Sequence, residues 1–309
     1  MPERLSFMDY EDPAIRTESL SKRYGRKAAL SDLTMTVPRG EVFGFLGPNG
    51  AGKTTAVKLL LGLARPTAGE GLVLGEPLGA VSARQHIGYL PELFRYQDWL
   101  TAQEVLEAHG ALLHLSRAAR RTEAESALSV VGLADRAKDR VGAFSKGMQQ
   151  RLGLAVALIG SPQMVVLDEP TSALDPVGRH DVREIIRHLK QRGATIFLNS
   201  HLLSEVELVC DRVAVLDRGR VAAEGSLEEL LAATGAQIEV EGLTAEALSD
   251  LRRFGEPRLR GTALEVEGIR RVEVPELVAA LCASGARVYA VELRRATLEE
   301  RFLGLLGGH

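Results

Sequence analysis

The stretch GPNGAGKT, Gly47 to Thr54, decides how this chain is read. It is a full G-x-x-x-x-G-K-[ST] pattern, preceded by the apolar run EVFGFL (41–46) and followed by the helical stretch KTTAVKLLLGL (53–63). A strand, a glycine-rich turn and a helix in that order make a cradle for phosphate. The glycines let backbone N–H groups turn inward, and the helix N-terminus adds partial positive charge. Gly47, Pro48, Asn49, Gly50, Ala51 and Gly52 supply the loop, with Thr55 just beyond it. Lys53 falls where an ammonium reaches β- and γ-phosphates, and Thr54 where a hydroxyl meets Mg2+. The pattern therefore predicts a nucleoside-triphosphate site.

Downstream, MVVLDE (164–169) reads as a buried strand that delivers two carboxylates at its C-terminal end, where ligands bind in open α/β sheets. Successive strand side chains point to opposite sides, so the two acids take different roles. Asp168 is placed to hold magnesium through its water shell. Glu169 projects towards an attacking water as general base or water-orienting group. SALDP (172–176) follows directly, and NSHLL places His201 at the end of the next strand. FSKGMQQRLGLA (144–155) opens a helix with Ser145 as N-cap, an amide end able to hold a phosphate.

The 309 residues carry 38 Lys+Arg against 41 Asp+Glu, a formal charge of −3. This near-neutral balance argues against a nucleic-acid partner bound by bulk basic charge. At 45% apolar and 26% charged residues, the composition is that of a globular protein and not of a disordered chain. The two cysteines, Cys210 and Cys282, match no zinc or redox spacing and read as reduced, buried thiols. No apolar run approaches the ~20 residues needed to cross a bilayer. The leader MPERLSFMDYEDPAIR is acidic, lacks an apolar core and does not read as a secretory signal. Any work at a membrane is expected to run through a partner.

Residues 14–232 read as one α/β domain, with short buried strands (EVFGFLG, MVVLDEP, ATIFLNS, RVAVLD) separated by amphipathic helices. Thr101-x-x-Glu104 and Thr122-x-x-Glu125 are capping-box patterns, and Asp175-Pro176 offers an N-cap with Pro at the first helical position. Gly132 and Gly193 sit where C-terminal caps belong. The segment 93–140 reads as an almost purely helical inserted lobe. From 235 to 309 the order β-α-β-β-α-β plus a final helix predicts a small ferredoxin-like module without clustered catalytic residues.

Together these elements resemble the ATP-binding subunits of ABC transporters over 14–232. GPNGAGKT matches the Walker A motif, VVLDEP the Walker B motif, SALD the D-loop with Asp175, and SHLLSEVE the histidine switch. FSKGMQQR resembles the ABC signature, usually LSGGQ. Here Ser145, Lys146, Gly147, Met148 and Gln149 keep the phosphate-facing Ser and Gly but place Lys146 and Met148 where Gly and Gln are commonest. IGYLPE (87–92) occupies the Q-loop region but ends in Glu92, an acceptor for Mg2+ or water that adds negative charge. Tyr24 in LSKRYG matches the aromatic that stacks on adenine. The resemblance implies a P-loop NTPase fold: a RecA-like core, an antiparallel β part and an inserted helical lobe. It also implies ATP and Mg2+ as ligands, with Glu169, His201 and Lys53 catalytic and Thr54, Asp168 and Glu92 around the metal.

It further implies a head-to-tail dimer, with an identical chain or a paralogue, in which Ser145 and Gly147 of one protomer face Lys53 of the other. A separate transmembrane permease would complete the machine and hold this subunit on the cytoplasmic face of the membrane. Both departures, and the C-terminal RRATLEERFLGLLG (294–307), resemble the ABC-2 export branch, similar to daunorubicin-type exporters. Phe94, Tyr96 and Trp99 lie just after the Q-loop; they either receive a helix of the membrane subunit or pack within the lobe. The competing reading is a soluble ABC ATPase that remodels a nucleic-acid or protein complex. Such proteins usually carry two cassettes or an inserted coiled coil, whereas this chain has one phosphate loop and no sustained heptads.

Overall fold

A computed structural model describes residues 12–172, 174–231, 233–295 and 297–306. The leader up to residue 11, Ala173 of the SALDP stretch and the end of the C-terminal leucine-rich stretch lie outside the described residues. The chain divides into two compact units, one ending at Leu227 and one beginning at Glu228.

In the first unit, β1 (Ile15–Tyr24) pairs antiparallel with β2 (Lys27–Val37) and with β4 (Ala68–Val73), which pairs with the short β5 (Glu76–Pro77). Ile15, Thr17, Leu20, Leu33, Met35 and Val37 are buried, the period-two pattern of a sheet with one covered face. The second sheet has the order β10-β9-β3-β8-β7-β6. Within it β3 (Val42–Leu46), β6 (Ile87–Leu90), β7 (Met164–Asp168), β8 (Thr195–Asn199) and β9 (Arg212–Asp217) run parallel. β10 (Arg220–Ser226) returns antiparallel to β9. β3, β7 and β8 are buried along their whole length, which is why they read as unbroken apolar runs.

Helix α1 (Lys53–Leu60) joins the two sheets into one core. Its Ala56, Val57, Leu59 and Leu60 share a buried cluster with Phe43, Phe45 and Phe197 of the parallel sheet and Leu20, Leu33 and Met35 of the antiparallel one. A single turn, α2 (Val81–Arg84), leads into β6. Then come α3 (Ala102–Leu112) and α4 (Arg117–Val130), against which α5 (Lys146–Leu158) packs. Helices α6 (Pro176–Gln191) and α7 (Leu203–Val209) flank β8 in sequence.

Several expected caps are present. Thr101 Oγ1 accepts from Glu104 N at 3.2 Å while Glu104 Oε2 accepts from Thr101 N at 2.8 Å. Asp175 caps Gly178 N at 2.8 Å, and Ser145 caps Met148 N at 3.3 Å. Gly132 and Gly193 follow the last turns of α4 and α6 with φ of +67° and +83°.

Three expectations need correction. Thr122 starts no helix: α4 begins five residues earlier with Ser116 as its cap, and the Thr122 hydroxyl donates back to Ala118 O. Glu125 pairs with Arg121 instead of closing a box. The lobe is not helical from residue 93, because 98–101 is tied to 140–142 by backbone bonds (Val141 N to Leu100 O, Gly142 N to Asp98 O) and helix begins at Ala102. Cys282 is exposed, about 100° round its helix from the buried Leu281. Cys210 is half-buried, its sulfur 3.0 Å from where a Cβ on Gly44 would stand, and burial pushes its thiol far up.

A single turn, α8 (Leu227–Leu230), runs across the boundary at Glu228 and opens the second unit. Strands β11 (Ala233–Glu241), β12 (Glu256–Arg260), β13 (Ala263–Glu267) and β14 (Arg287–Arg295) alternate with α9 (Ala245–Asp250) and α10 (Val274–Ala283), and α11 (Leu298–Leu306) ends the unit. All pairings are antiparallel in the order β12-β13-β11-β14, the split βαβ order of a ferredoxin-like sheet. Ile238, Val240, Leu264 and Val266 bury one sheet face under Leu277 and Leu281 of α10. Thr297 and Glu300 cap α11 reciprocally, at 2.9 and 3.1 Å.

Candidate active site

Parallel pairing brings the C-terminal ends of β3, β7 and β8 to one edge of the sheet, and β3 lies between β8 and β9. The loop Gly47–Gly52 leaves β3 there. Two of its glycines are obligatory. A Cβ on Gly47 would stand 2.4 Å from Leu216 O, and one on Gly52 would stand 2.3 Å from Ala29 O with φ at +111°. Gly52 takes the N-cap position of α1 in left-handed geometry and offers no side-chain acceptor. The first amides of α1 are therefore left to an anion, the arrangement that favours phosphate. Lys53 is 7% exposed, and its Nζ donates to Gly47 O at 2.6 Å. Burial pulls its pKa down, while the charges of Glu169, Asp168 and Glu92 oppose the fall. Thr54 and Asn49 are exposed and Thr55 is half-buried.

At the ends of β7 and β8, Asp168 and Asn199 stand in register, and Asn199 Nδ2 donates to Asp168 Oδ1. Burial raises the Asp168 pKa; the Asn199 bond and Lys53 oppose it, and Glu92 adds to it. Glu169 takes a left-handed φ of +53°, uncommon for a non-glycine residue and a form of strain found at functional sites. This turns it away from the strand direction, and Glu169 Oε2 meets His201 Nδ1 at 2.8 Å. Burial raises the Glu169 pKa above its usual range, against the pull of His201 and Lys53. A carboxylate poised upward beside a phosphate loop is suited to take a proton from water.

The remaining predicted residues are more scattered. Glu92 is exposed, yet its charge registers on Lys53, Asp168 and Tyr89, whose hydroxyl is pushed to about 12 chiefly by burial. Tyr24 is 50% exposed, with the Lys22 ammonium 5.0 Å from its ring centroid. Ser145 and Lys146 are exposed, and Gly147, Met148 and Gln149 are half-buried. Among the described residues no hydrogen bond links these five to the phosphate loop. The aromatic trio divides: Phe94 packs on Tyr96 with centroids 5.4 Å apart, and Tyr96 meets His109 edge-on, whereas Trp99 is 69% exposed, and Leu93 is exposed as well.

Two residues escape motif reading. Asn199 holds Asp168, and its own Oδ1 is buried without a partner among the described residues, leaving an acceptor next to the carboxylate. Gln150 donates to Pro170 O at 2.8 Å, tying α5 to the turn after Glu169. The signal for Asn199 is its place at the end of the strand paired with β7, which becomes legible once the register is known. The oxygen set of Thr54, Asp168 and Glu92, with that spare acceptor, suits a hard cation completed by phosphates and water. Among the described residues no cluster of three His, Cys, Asp or Glu forms a dedicated metal cage.

The profile of the ABC transporter family matches residues 30–172. The daunorubicin resistance ATP-binding protein of Streptomyces coeruleorubidus is 38% identical, covering 96% of this chain and 96% of that protein. A Nod factor export ATP-binding protein of Rhizobium sp. is 44% identical over 71% of this chain and 72% of its own length. The solved dimeric structure of an ATP-binding cassette in a post-hydrolysis state, bound to ADP and phosphate, superposes with a TM-score of 0.63 at 25% identity. It covers 69% of this chain and 98% of that one.

Proposed function

The chain belongs to the ABC transporter ATP-binding proteins, and from that premise we propose that it powers an ABC-2-type export complex by closing in pairs over ATP. It is an ATPase of that family. The observation that carries the catalytic reading is the 2.8 Å pairing of Glu169 with His201 beside the phosphate loop. Lys53 exchanges its bonds to the loop carbonyls for phosphate oxygens, and the uncapped amides of α1 receive the same group. Glu169 takes the proton of the attacking water, and His201 holds the carboxylate in line. Thr54, Asp168 and Glu92 would hold Mg2+, which screens the triphosphate charge when bound. Tyr24 stacks on the adenine, its half-exposed ring leaving area for a base.

Ser145 and Gly147 of a second protomer, identical or paralogous, complete each site, and Asp175 lies at that junction. Support comes from the solved dimeric cassette and from the exposure of this helix end. Among the described residues no helix is long and apolar enough to cross a membrane. In this reading the substrate path belongs to a separate permease, as the export relatives suggest. The exposed Trp99 and Leu93 are its docking anchors, on the cytoplasmic side of the membrane. The export assignment rests on the daunorubicin resistance and Nod factor export relatives. The test is a pull-down of tagged Glu169→Gln protein with MgATP from detergent-solubilised native membranes. Co-purification of a stoichiometric multi-span protein supports the reading. Recovery of soluble partners alone, with dimerisation intact, overturns it in favour of a soluble remodelling ATPase.

A further inference from the structure

His201 is 47% exposed at its side chain, so packing does little to hold its ring. Its aim depends on the backbone either side. Upstream, Ser200 is buried and its N–H donates to Phe45 O at 3.3 Å. Downstream, α7 begins two residues later, is seven residues long, and has no side-chain N-cap. A helix of that length does not hold its own place in water.

α7 is held from two sides: its buried Val206 packs over Gly44 of β3, and α6 braces it through charged side chains. Arg183, Arg187 and Lys190 lie on one face of α6, spaced four and three residues apart. They meet Glu205, Leu208 O and Asp211 in turn along the neighbouring segment. Asp211 in turn accepts from Val42 N at 2.9 Å, tying the far end to β3. The rung nearest His201 is the buried one. Arg183 Nη1 donates to both oxygens of Glu205 at 3.0 and 2.9 Å, with side chains 18% and 10% exposed. A pair removed from water to that degree has one favourable geometry, and losing either partner strands a charge.

We propose that Arg183 and Glu205 are positioning residues for hydrolysis: their ion pair sets where α7 begins and so holds His201 against Glu169. The inference rests on the catalytic role given above to His201. It also links the helix that Asp175 caps to the histidine, since α6 starts at one and braces the other.

The test measures phosphate release, the KM for ATP and thermal melting on the full chain. Arg183→Met/Glu205→Leu replaces the pair with apolar groups of similar volume, an exchange buried ion pairs often tolerate. The expected result is a retained melting temperature, a KM within about twofold and a kcat lowered about tenfold, because small misplacement near the chemistry costs rate. Arg183→Lys, which keeps the charge and one bond, keeps most of the kcat; if the apolar pair fails to fold, Arg183→Gln/Glu205→Gln takes its place, with the same tenfold fall expected and wild-type kcat overturning the proposal. In a His201→Ala background the double change lowers kcat no further, since the residue it positions is gone. Wild-type kcat in the folded double variant overturns the proposal, as does a further tenfold loss without His201. Should His201→Ala alone keep full turnover, the histidine's own role fails first and the pair's role with it.

Discussion

Replacing Glu169 by Gln removes one property and keeps the rest. The side chains are nearly isosteric, and the amide oxygen still accepts from His201, so the 2.8 Å contact survives. What is lost is the ability to take a proton. A positioned general base contributes about 10²–10⁴-fold, which is about 3–5 kcal/mol of barrier at 1.36 kcal/mol per tenfold. The upper half of that range is expected, because the neighbouring Asp168 is held by Asn199 and cannot substitute. Stability should hold or rise. Burial lifts the Glu169 pKa above its ordinary 4.5, so ionisation opposes folding at neutral pH, and that stability loss grows as pH rises through the raised value.

The same lift sets the acid limb of activity. The deprotonated form is the base, so kcat climbs as pH rises through the raised Glu169 value, with His201, Asp168 and Lys53 as the charges facing it. Phosphate release from pH 5 to 8, nucleotide binding and light scattering with MgATP make the assay. The variant should bind ATP with wild-type affinity, lose the pH-dependent limb and accumulate as a closed dimer. A fall in kcat below about tenfold, or an equal loss of ATP affinity, would refute the assignment of the base.

Three other outcomes follow from the geometry. Gly52→Ala puts a methyl 2.3 Å from Ala29 O at φ +111° and should cost about 1–3 kcal/mol while weakening nucleotide binding, read by urea unfolding and calorimetry; wild-type behaviour in both would remove the steric argument. Thr101→Ala opens the capping box of α3 and should cost about 1 kcal/mol in urea unfolding, with ATP affinity unchanged. Trp99→Ala touches a largely exposed side chain, so stability should move by no more than about 0.5 kcal/mol. Permease-stimulated ATPase activity should nonetheless fall, and full stimulation would discard Trp99 as an anchor.

The parts of the site legible in the sequence are those encoded over a few consecutive residues. The loop Gly47–Gly52 needs its glycines because backbone presses on it from Leu216 and Ala29, and that need is written as a local pattern. Thr101 and Glu104, or Asp175 and Pro176, act across a single helical turn, so spacing alone announces them. Thr122 and Glu125 carry the same spacing and fail, because Ser116 caps the helix first and Arg121 captures the glutamate. A capping pattern states a capacity, and neighbours decide whether it is used.

The sequence by itself determined the phosphate loop, the two adjacent acids at the end of β7, the βαββαβ string of the second unit and the family. All of these follow from contiguous runs and local backbone needs. Only the tertiary structure decided that Asn199 holds Asp168, that Glu169 adopts a left-handed turn to reach His201, and that Arg183 braces Glu205. Those pairings join residues far apart in the chain. Parallel register and helix packing bring them together, and nothing in the local spacing of either partner specifies the other.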